Sequence, residues 1–246
     1  MRGEIFGVPL DLLTMDETVD ACVELAERQQ AAQHVVLNAG KVIMMHDDRR
    51  LHSVVSGCDI VSADGQSIVW AGRVLGLDVP ERVAGIDLMA RLLAEAEQRG
   101  WPVYFLGARD EVLESCVTRL TAQHPRLVVA GQQNGYFDDG WQVARTIKDS
   151  HAKLVFVGIS SPKKEYFLAE HLRDMGPVFA MGVGGSFDVI AGVTRRAPAW
   201  MQRSGLEWFY RFAQEPRRMW RRYLVGNARF IGLVMREKVR GKPAVP

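Results

Sequence analysis

The sequence predicts an α/β fold, a mainly parallel sheet with flanking helices, followed by a basic helical C-terminal appendage. Three observations carry this reading. Short apolar runs alternate with segments of helical period, the pattern of strand–helix–strand units. The runs are continuously apolar, as strands covered on both faces are. From about Arg195 the apolar runs stop, and arginines and aromatics take over. With 246 residues, the chain is long enough for one large domain, expected over 1–195, and an appendage over 196–246. Right-handed crossovers between parallel strands would make the main domain Rossmann-like.

The elements follow in order. Thr14 and Glu17 form a capping box ahead of a helix with Val19, Cys22, Val23 and Ala26 on one face. Val35-Val36-Leu37 and Ile60-Val61 read as buried strands. Ile86, Met89, Ala90 and Leu93 mark a second helical stripe, and Leu113, Cys116, Val117 and Leu120 a third. Further strands are expected at Val103-Tyr104-Phe105-Leu106, Leu127-Val128-Val129, Leu154-Val155-Phe156-Val157 and Val178-Phe179-Ala180-Met181. The appendage reads as two helices, roughly 206–213 and 217–239, with Pro216 where a helix start tolerates it.

Composition narrows the function classes. Hydrophobic residues make up 48% and charged residues 24%, the balance of a chain with a sizeable core. No uninterrupted apolar stretch reaches the roughly 18 residues that a membrane-spanning helix needs. The N-terminus lacks a signal peptide's apolar run, so the cytosol is the expected compartment. Cys22, Cys58 and Cys116 are too far apart for a zinc site or a disulfide framework and read as small core residues. The six histidines show no metal-ligand spacing. No Asp-x-Asp pair occurs, although Asp47-Asp48 and Asp138-Asp139 do. Neither a metal nor an organic cofactor is therefore expected. The net charge of +2 hides an asymmetry: 195–246 carries 13 Lys/Arg and 3 Asp/Glu, while the remainder is net acidic. A basic tail of this kind implies a partner of its own.

Ligands of open α/β sheets bind beyond the carboxyl ends of the strands, and those ends are chemically rich here. Asn38-Ala39-Gly40 follows the first predicted strand and Ser62-Ala63-Asp64-Gly65 the second. Asp64 has small neighbours, so another molecule can approach it. It reads either as a general base or as a cap of the helix beginning near Gln66. Gly107 ends the next strand. The 158–165 loop joins Gly158, Ser160, Ser161, Lys163 and Lys164 at an expected helix N-terminus, a setting that suits a diphosphate or a solvated helix start alike. Gly182-Val183-Gly184-Gly185, running on to Asp188, lets backbone approach a phosphate but is no GxGxxG fingerprint, because position 187 is Phe187. Arg82 precedes a helix and could neutralise a phosphate leaving group or pair with Glu81 or Asp87. In the tail, Trp200, Trp208, Phe209, Tyr210, Phe212, Trp220, Tyr223 and Phe230 lie among arginines. Packing on the main domain, contact with an anionic bilayer and nucleic-acid binding all use such a mixture; the bilayer is preferred to nucleic acid.

Taken in order and spacing, these pieces resemble the WecG/TagA/CpsF glycosyltransferases over almost the whole chain. The most specific are Ser62-Ala63-Asp64-Gly65, Pro162-Lys163-x-Glu165, the run 182–188 leading into Arg196-Ala197-Pro198-x-Trp200-Met201, and Gly205-Leu206-Glu207-Trp208 continuing through Glu215-Pro216-Arg217-Arg218 to Trp220-Arg221-Arg222-Tyr223. The resemblance implies an inverting, metal-independent transfer from a UDP-sugar to an undecaprenyl-diphosphate-linked acceptor at the inner face of the cell membrane. It implies Asp64 as the base and Asn38 and Arg82 as site residues, Arg82 near the diphosphate. Arg211, Arg218 and Arg221 are the nearest counterparts of the arginines that meet the lipid diphosphate. Lys164 stands where many members have Gln, and Val36-Leu37 where many have Thr. These departures widen the expected donors from N-acetylmannosamine or its uronate to a plain hexose or an acidic sugar paired with Lys164. The competing readings are another nucleotide-binding α/β enzyme, such as a dinucleotide oxidoreductase, and a nucleic-acid-binding protein using the basic tail; a nucleic-acid partner is not expected, and the oligomeric state, a homo-oligomer included, is left open.

Overall fold

The computed structural model describes residues 1–214 and 225–241, apart from the side chains of Arg203 and Arg211. The chain opens with an antiparallel hairpin, β1 (Arg2–Ile5) and β2 (Val8–Asp11). Then come α1 (Met15–Glu27), β3 (Ala32–Leu37), α2 (Ala39–Asp47), α3 (Arg49–Ser56), β4 (Ile60–Ala63), α4 (Gln66–Val74), α5 (Gly85–Arg99), β5 (Val103–Gly107) and α6 (Asp110–Gln123). The order continues with β6 (Val129–Gln133), α7 (Gly140–Asp149), β7 (Leu154–Gly158), α8 (Lys163–His171), a 3₁₀ turn (Leu172–Met175), β8 (Phe179–Gly182) and α9 (Ser186–Ile190). Helices α10 (Ala199–Arg203), α11 (Glu207–Gln214) and α12 (Gly226–Val239) lie in the appendage.

Six strands form one parallel sheet in the order β4-β3-β8-β7-β5-β6. The predicted α/β class is what the structure shows. Because all six run the same way, every carboxyl end opens on one edge. β3 and β4 form one wing, β5 to β8 the other, and the seam is β3 beside β8. Ligand sites of open parallel sheets lie on that edge, near such a seam.

The continuous apolar strands are explained by two covered faces. Along each strand, alternate side chains point to opposite faces. Phe105, Phe156, Phe179 and Met181 join one core cluster with α1, α5 and α6. Tyr104, Leu106, Val155, Val157 and Ala180 join a second with α7 and α8. Val35, Leu37, Val61 and Ala63 join a third, which also takes in the hairpin, α2, α3, α4 and Phe230 and Val234 of α12. The three cysteines are buried thiols within these clusters, as expected.

The capping box forms as predicted: Thr14 accepts from the Glu17 N–H, and Glu17 accepts from the Thr14 N–H. The second helical stripe is corrected in part. Leu88, Met89, Leu92, Leu93 and Ala96 face the core, while Ala90 is exposed. The run 127–129 also needs correction, because its strand begins only at Val129. Leu127 still belongs to a turn, donating to the His124 carbonyl at 3.0 Å. In the appendage, α11 matches the helix expected over 206–213. The last helix is described only from Gly226, and Pro216, Trp220 and Tyr223 lie outside the described residues.

Candidate functional site

The carboxyl edge of β3 and β4 brings Asn38, Asp64 and Arg82 into one neighbourhood. Asn38 is the N-cap of α2, and its Oδ1 accepts the Lys41 N–H at 3.0 Å. The Asp64 N–H donates to the Leu37 carbonyl at 2.8 Å, carrying the β3–β4 ladder one step past the strands. Asp64 is half-buried, and the helix after it is capped at Gly65. Gly65 has φ +118°, and a Cβ there would sit 3.9 Å from Asn38 Cβ, so the two strand-end loops abut. The segment before α5 closes on the same place, since the Val83 N–H donates to the Ala63 carbonyl at 2.8 Å. Arg82 therefore stands at the end of β4. Its Nη1 lies 2.9 Å from Glu207 Oε2, not on Glu81 or Asp87. Glu81 instead accepts from the Met15 N–H at 2.6 Å.

Asp87 takes a different arginine. Arg196 grips it with Nη1 and Nη2, each at 2.6 Å, in the two-pronged geometry that makes arginine–carboxylate pairs strong. The Asp87 hydrogen bonds raise the Arg196 pKa against the effect of burial, and the charges of Asp87, Glu207 and Asp64 add to them. Asp64 is thus close enough for Arg196 to feel its charge.

The loop after β7 supplies a second set of groups. Lys163 is exposed, but Lys164 and Glu165 are buried. One oxygen, Glu165 Oε1, receives Lys41 Nζ at 2.6 Å, Lys164 Nζ at 2.9 Å and the Ser161 hydroxyl at 2.9 Å. Two ammoniums against one carboxylate leave excess positive charge. Burial, then the Lys41 ammonium, pulls Lys164 down to about 8, against the opposing charges of Glu165 and Asp64. Burial alone would raise Glu165; the two lysines outweigh it and hold the carboxylate at about 2. The stem of Lys164 crosses Gly182, where a Cβ would lie 2.6 Å from Lys164 Cε. Any larger residue at 182 would displace the lysine.

The other predicted glycines divide by environment. At Gly107, φ is +133° and a Cβ would meet the Gly158 backbone at 2.5 Å, so that space is filled by the neighbouring strand. Gly184 has φ +54° and nothing within 4 Å of an added Cβ, so its surroundings are open. Phe187, which interrupts the fingerprint pattern, packs its ring against Gly158. Asp188 lies half-buried on α9, and its carbonyl accepts from Val193 and Thr194. Arg211 lies on α11, while Arg218 and Arg221 lie outside the described residues.

Sequence reasoning missed Lys41, Arg196 and Glu207 as members of this neighbourhood. Lys41 carried one usable signal: a lysine in the first turn of a helix opposes the helix dipole and needs a reason to be there. Among the described residues, no group of three or more His, Cys, Asp or Glu is placed to hold a metal ion.

Comparison with known proteins gives two results. The sequence profile described as glycosyl transferase WecG/TagA/CpsF family matches residues 3–244. Among similar proteins is an N-acetylglucosaminyldiphosphoundecaprenol N-acetyl-beta-D-mannosaminyltransferase of Bacillus spizizenii, 34% identical over 194 residues, which are 79% of this chain and 75% of the relative. A protein of the same description from Bacillus subtilis is 33% identical over 177 residues, 72% of this chain and 69% of that relative.

Proposed function

The chain belongs to the glycosyl transferase WecG/TagA/CpsF family, and on that premise we propose that it moves a sugar from UDP to an undecaprenyl-diphosphate-linked acceptor. The observation that carries this reading is Asp64 at the carboxyl end of β4, beside Asn38 and within the fields of Lys164 and Arg196. The relatives' described reaction supports the undecaprenyl-diphosphate-linked acceptor and the transfer of a sugar; the UDP donor is part of the proposal.

In this reading Asp64 removes the proton from the acceptor hydroxyl as its oxygen attacks the anomeric carbon. The new bond forms between that oxygen and the carbon. The bond from the carbon to the UDP oxygen breaks on the opposite face, so the configuration inverts. The departing diphosphate needs positive charge. Arg82 and Lys163 supply it from the core, and Gly184 gives backbone access. Asn38 orients the sugar beside the base, with Asp188 and Gly107 shaping the outer donor site. Arg211, Arg218 and Arg221 take the lipid diphosphate, and the transfer proceeds without metal. An N-acetylmannosamine-type sugar, its uronate and a hexose remain the candidate donors. The Lys164 ammonium is committed to Ser161 and Glu165, which favours an uncharged sugar over a uronate.

Asp64→Asn is expected to keep UDP affinity, measured by calorimetry, and to lower turnover by about 10²-fold or more. Near-normal turnover would remove Asp64 from this role. A screen of UDP-N-acetylmannosamine, its uronate, UDP-glucose and UDP-glucuronate against a synthetic lipid-diphosphate acceptor, with and without EDTA, reads out donor and metal requirement together. Loss of activity in EDTA, restored by Mg²⁺, would refute the metal-independent route.

A further inference from the structure

The appendage meets the core beside the site through one carboxylate. Glu207 opens α11, with Oε2 2.9 Å from Arg82 Nη1 and Oε1 4.0 Å from Arg196 Nε. Arg196 is in turn clamped on Asp87 at the start of α5. Charges therefore alternate from Arg82 through Glu207 and Arg196 to Asp87. The Arg82 and Glu207 side chains are 17% and 16% exposed, so water screens this pair less than one on the open surface.

The backbone around Arg82 is fixed to the end of β4, because its neighbour Val83 is tied to Ala63. The side chain is another matter: a long arginine with no partner would sample many rotamers. Glu207 selects one of them. A guanidinium has five N–H donors in a planar fork, and the contact with Glu207 engages Nη1. The remaining donors of the fork suit phosphate oxygens.

We infer that Glu207 is a positioning residue for Arg82, orienting its guanidinium toward the donor diphosphate and making the donor site depend on the appendage. The inference rests on the reading of Arg82 as a diphosphate contact. It assigns the first helix turn after Leu206 a task at the donor, apart from any contact with lipid.

The test uses the full chain with UDP as the calorimetric probe and donor KM and kcat as kinetic readouts. Glu207→Ala is expected to weaken UDP binding and raise donor KM by about tenfold, with a smaller change in kcat. Glu207→Gln, which keeps an acceptor oxygen, is expected to recover part of the loss. In an Arg82→Ala background, Glu207→Ala is expected to change UDP affinity no further, as coupled residues do. Equal effects of Glu207→Ala with and without Arg82 would overturn the inference. So would an unchanged UDP affinity accompanied by a lower thermal midpoint, which marks a purely structural latch. Failure of the underlying reading looks different: the wild-type chain, or Arg82→Ala alone, would show no UDP binding or no loss of it, and the inference would fall with that reading.

Discussion

Glu165 is the residue on which the inner site depends, because one carboxylate oxygen holds Lys41, Lys164 and Ser161. Lys41 is 2% exposed, and a buried charge that loses its partner is costly. Glu165→Ala should therefore lower unfolding free energy by about 3–5 kcal/mol, read from urea denaturation. An unchanged midpoint would mean that the lysines find other partners. The pH dependence has a definite sign. Glu165 is depressed from its ordinary 4.5 to about 2, so the stability it contributes is present above 4.5 and is lost as pH falls from there through 2. His34, held at about 3 by burial and by Lys41, behaves alike: its contribution is present above 6.5 and fades as pH falls through 3. Glu165→Gln should flatten the acid limb between about pH 4.5 and 2 and leave the His34 part in place. The place of Asp64 at a strand end was legible in the sequence because an apolar run followed by small residues marks such an end. The Lys41–Glu165 pair was not, since its partners lie 124 positions apart and only the β3–β8–β7 order brings them together.

At the scale of elements, the apolar runs were readable because each strand is covered on both faces, so each is apolar throughout. Leu127-Val128-Val129 misled for a physical reason: Leu127 points into the core from a turn, while Val128 is 45% exposed. The N-terminal hairpin escaped notice because its two-residue turn is Phe6-Gly7, both at positive φ (53° and 74°), where Asn-Gly is the usual signature. Phe6 holds that conformation while its ring packs 5.8 Å from Phe230, a contact no local pattern reveals. Close packing of strand ends gives the prediction at this scale. Gly107→Ala would drive a methyl to 2.5 Å from the Gly158 backbone at φ +133°, and backbone cannot step aside. Gly182→Ala would meet only the flexible end of Lys164, at 2.6 Å. Gly107→Ala should thus destabilise by at least about 1–3 kcal/mol, and Gly182→Ala by less, as overpacking costs depend on whether the neighbour can yield. Urea midpoints in the opposite order would show that the β5 end can relax.

For the whole molecule, the asymmetry of charge acquires a place. The segment 195–246 carries 13 basic residues against 3 acidic ones, and α12 packs across α2 and α4, with Phe230 and Val234 buried and Arg229 paired to Asp47. We propose that the division near Arg195 separates roles rather than folding units, because these appendage side chains complete a core cluster of the main domain. The other side of α12 exposes Ile231 and Met235, 60% and 54%, and Trp70 is 57% exposed on neighbouring α4. Arg236 and Lys238 lie in the last turn of the same helix. Apolar side chains rimmed by cations suit an anionic bilayer, where burial of the first and attraction of the second add. No helix among the described residues is long and apolar enough to cross a membrane, so contact through this face would lie in the interfacial plane. The double change Ile231→Glu with Met235→Glu tests it. Both positions are exposed, so the thermal midpoint and UDP affinity should hold. Co-sedimentation with phosphatidylglycerol-containing vesicles should fall by about tenfold or more, since two apolar anchors are replaced by charges that the lipid repels. Wild-type binding should weaken as salt rises from about 0.05 to 0.5 M, because the cationic part is screened. Vesicle binding unchanged by the double substitution would take the membrane contact away from α12, and retention on DNA with the same salt response would assign the basic tail to nucleic acid instead.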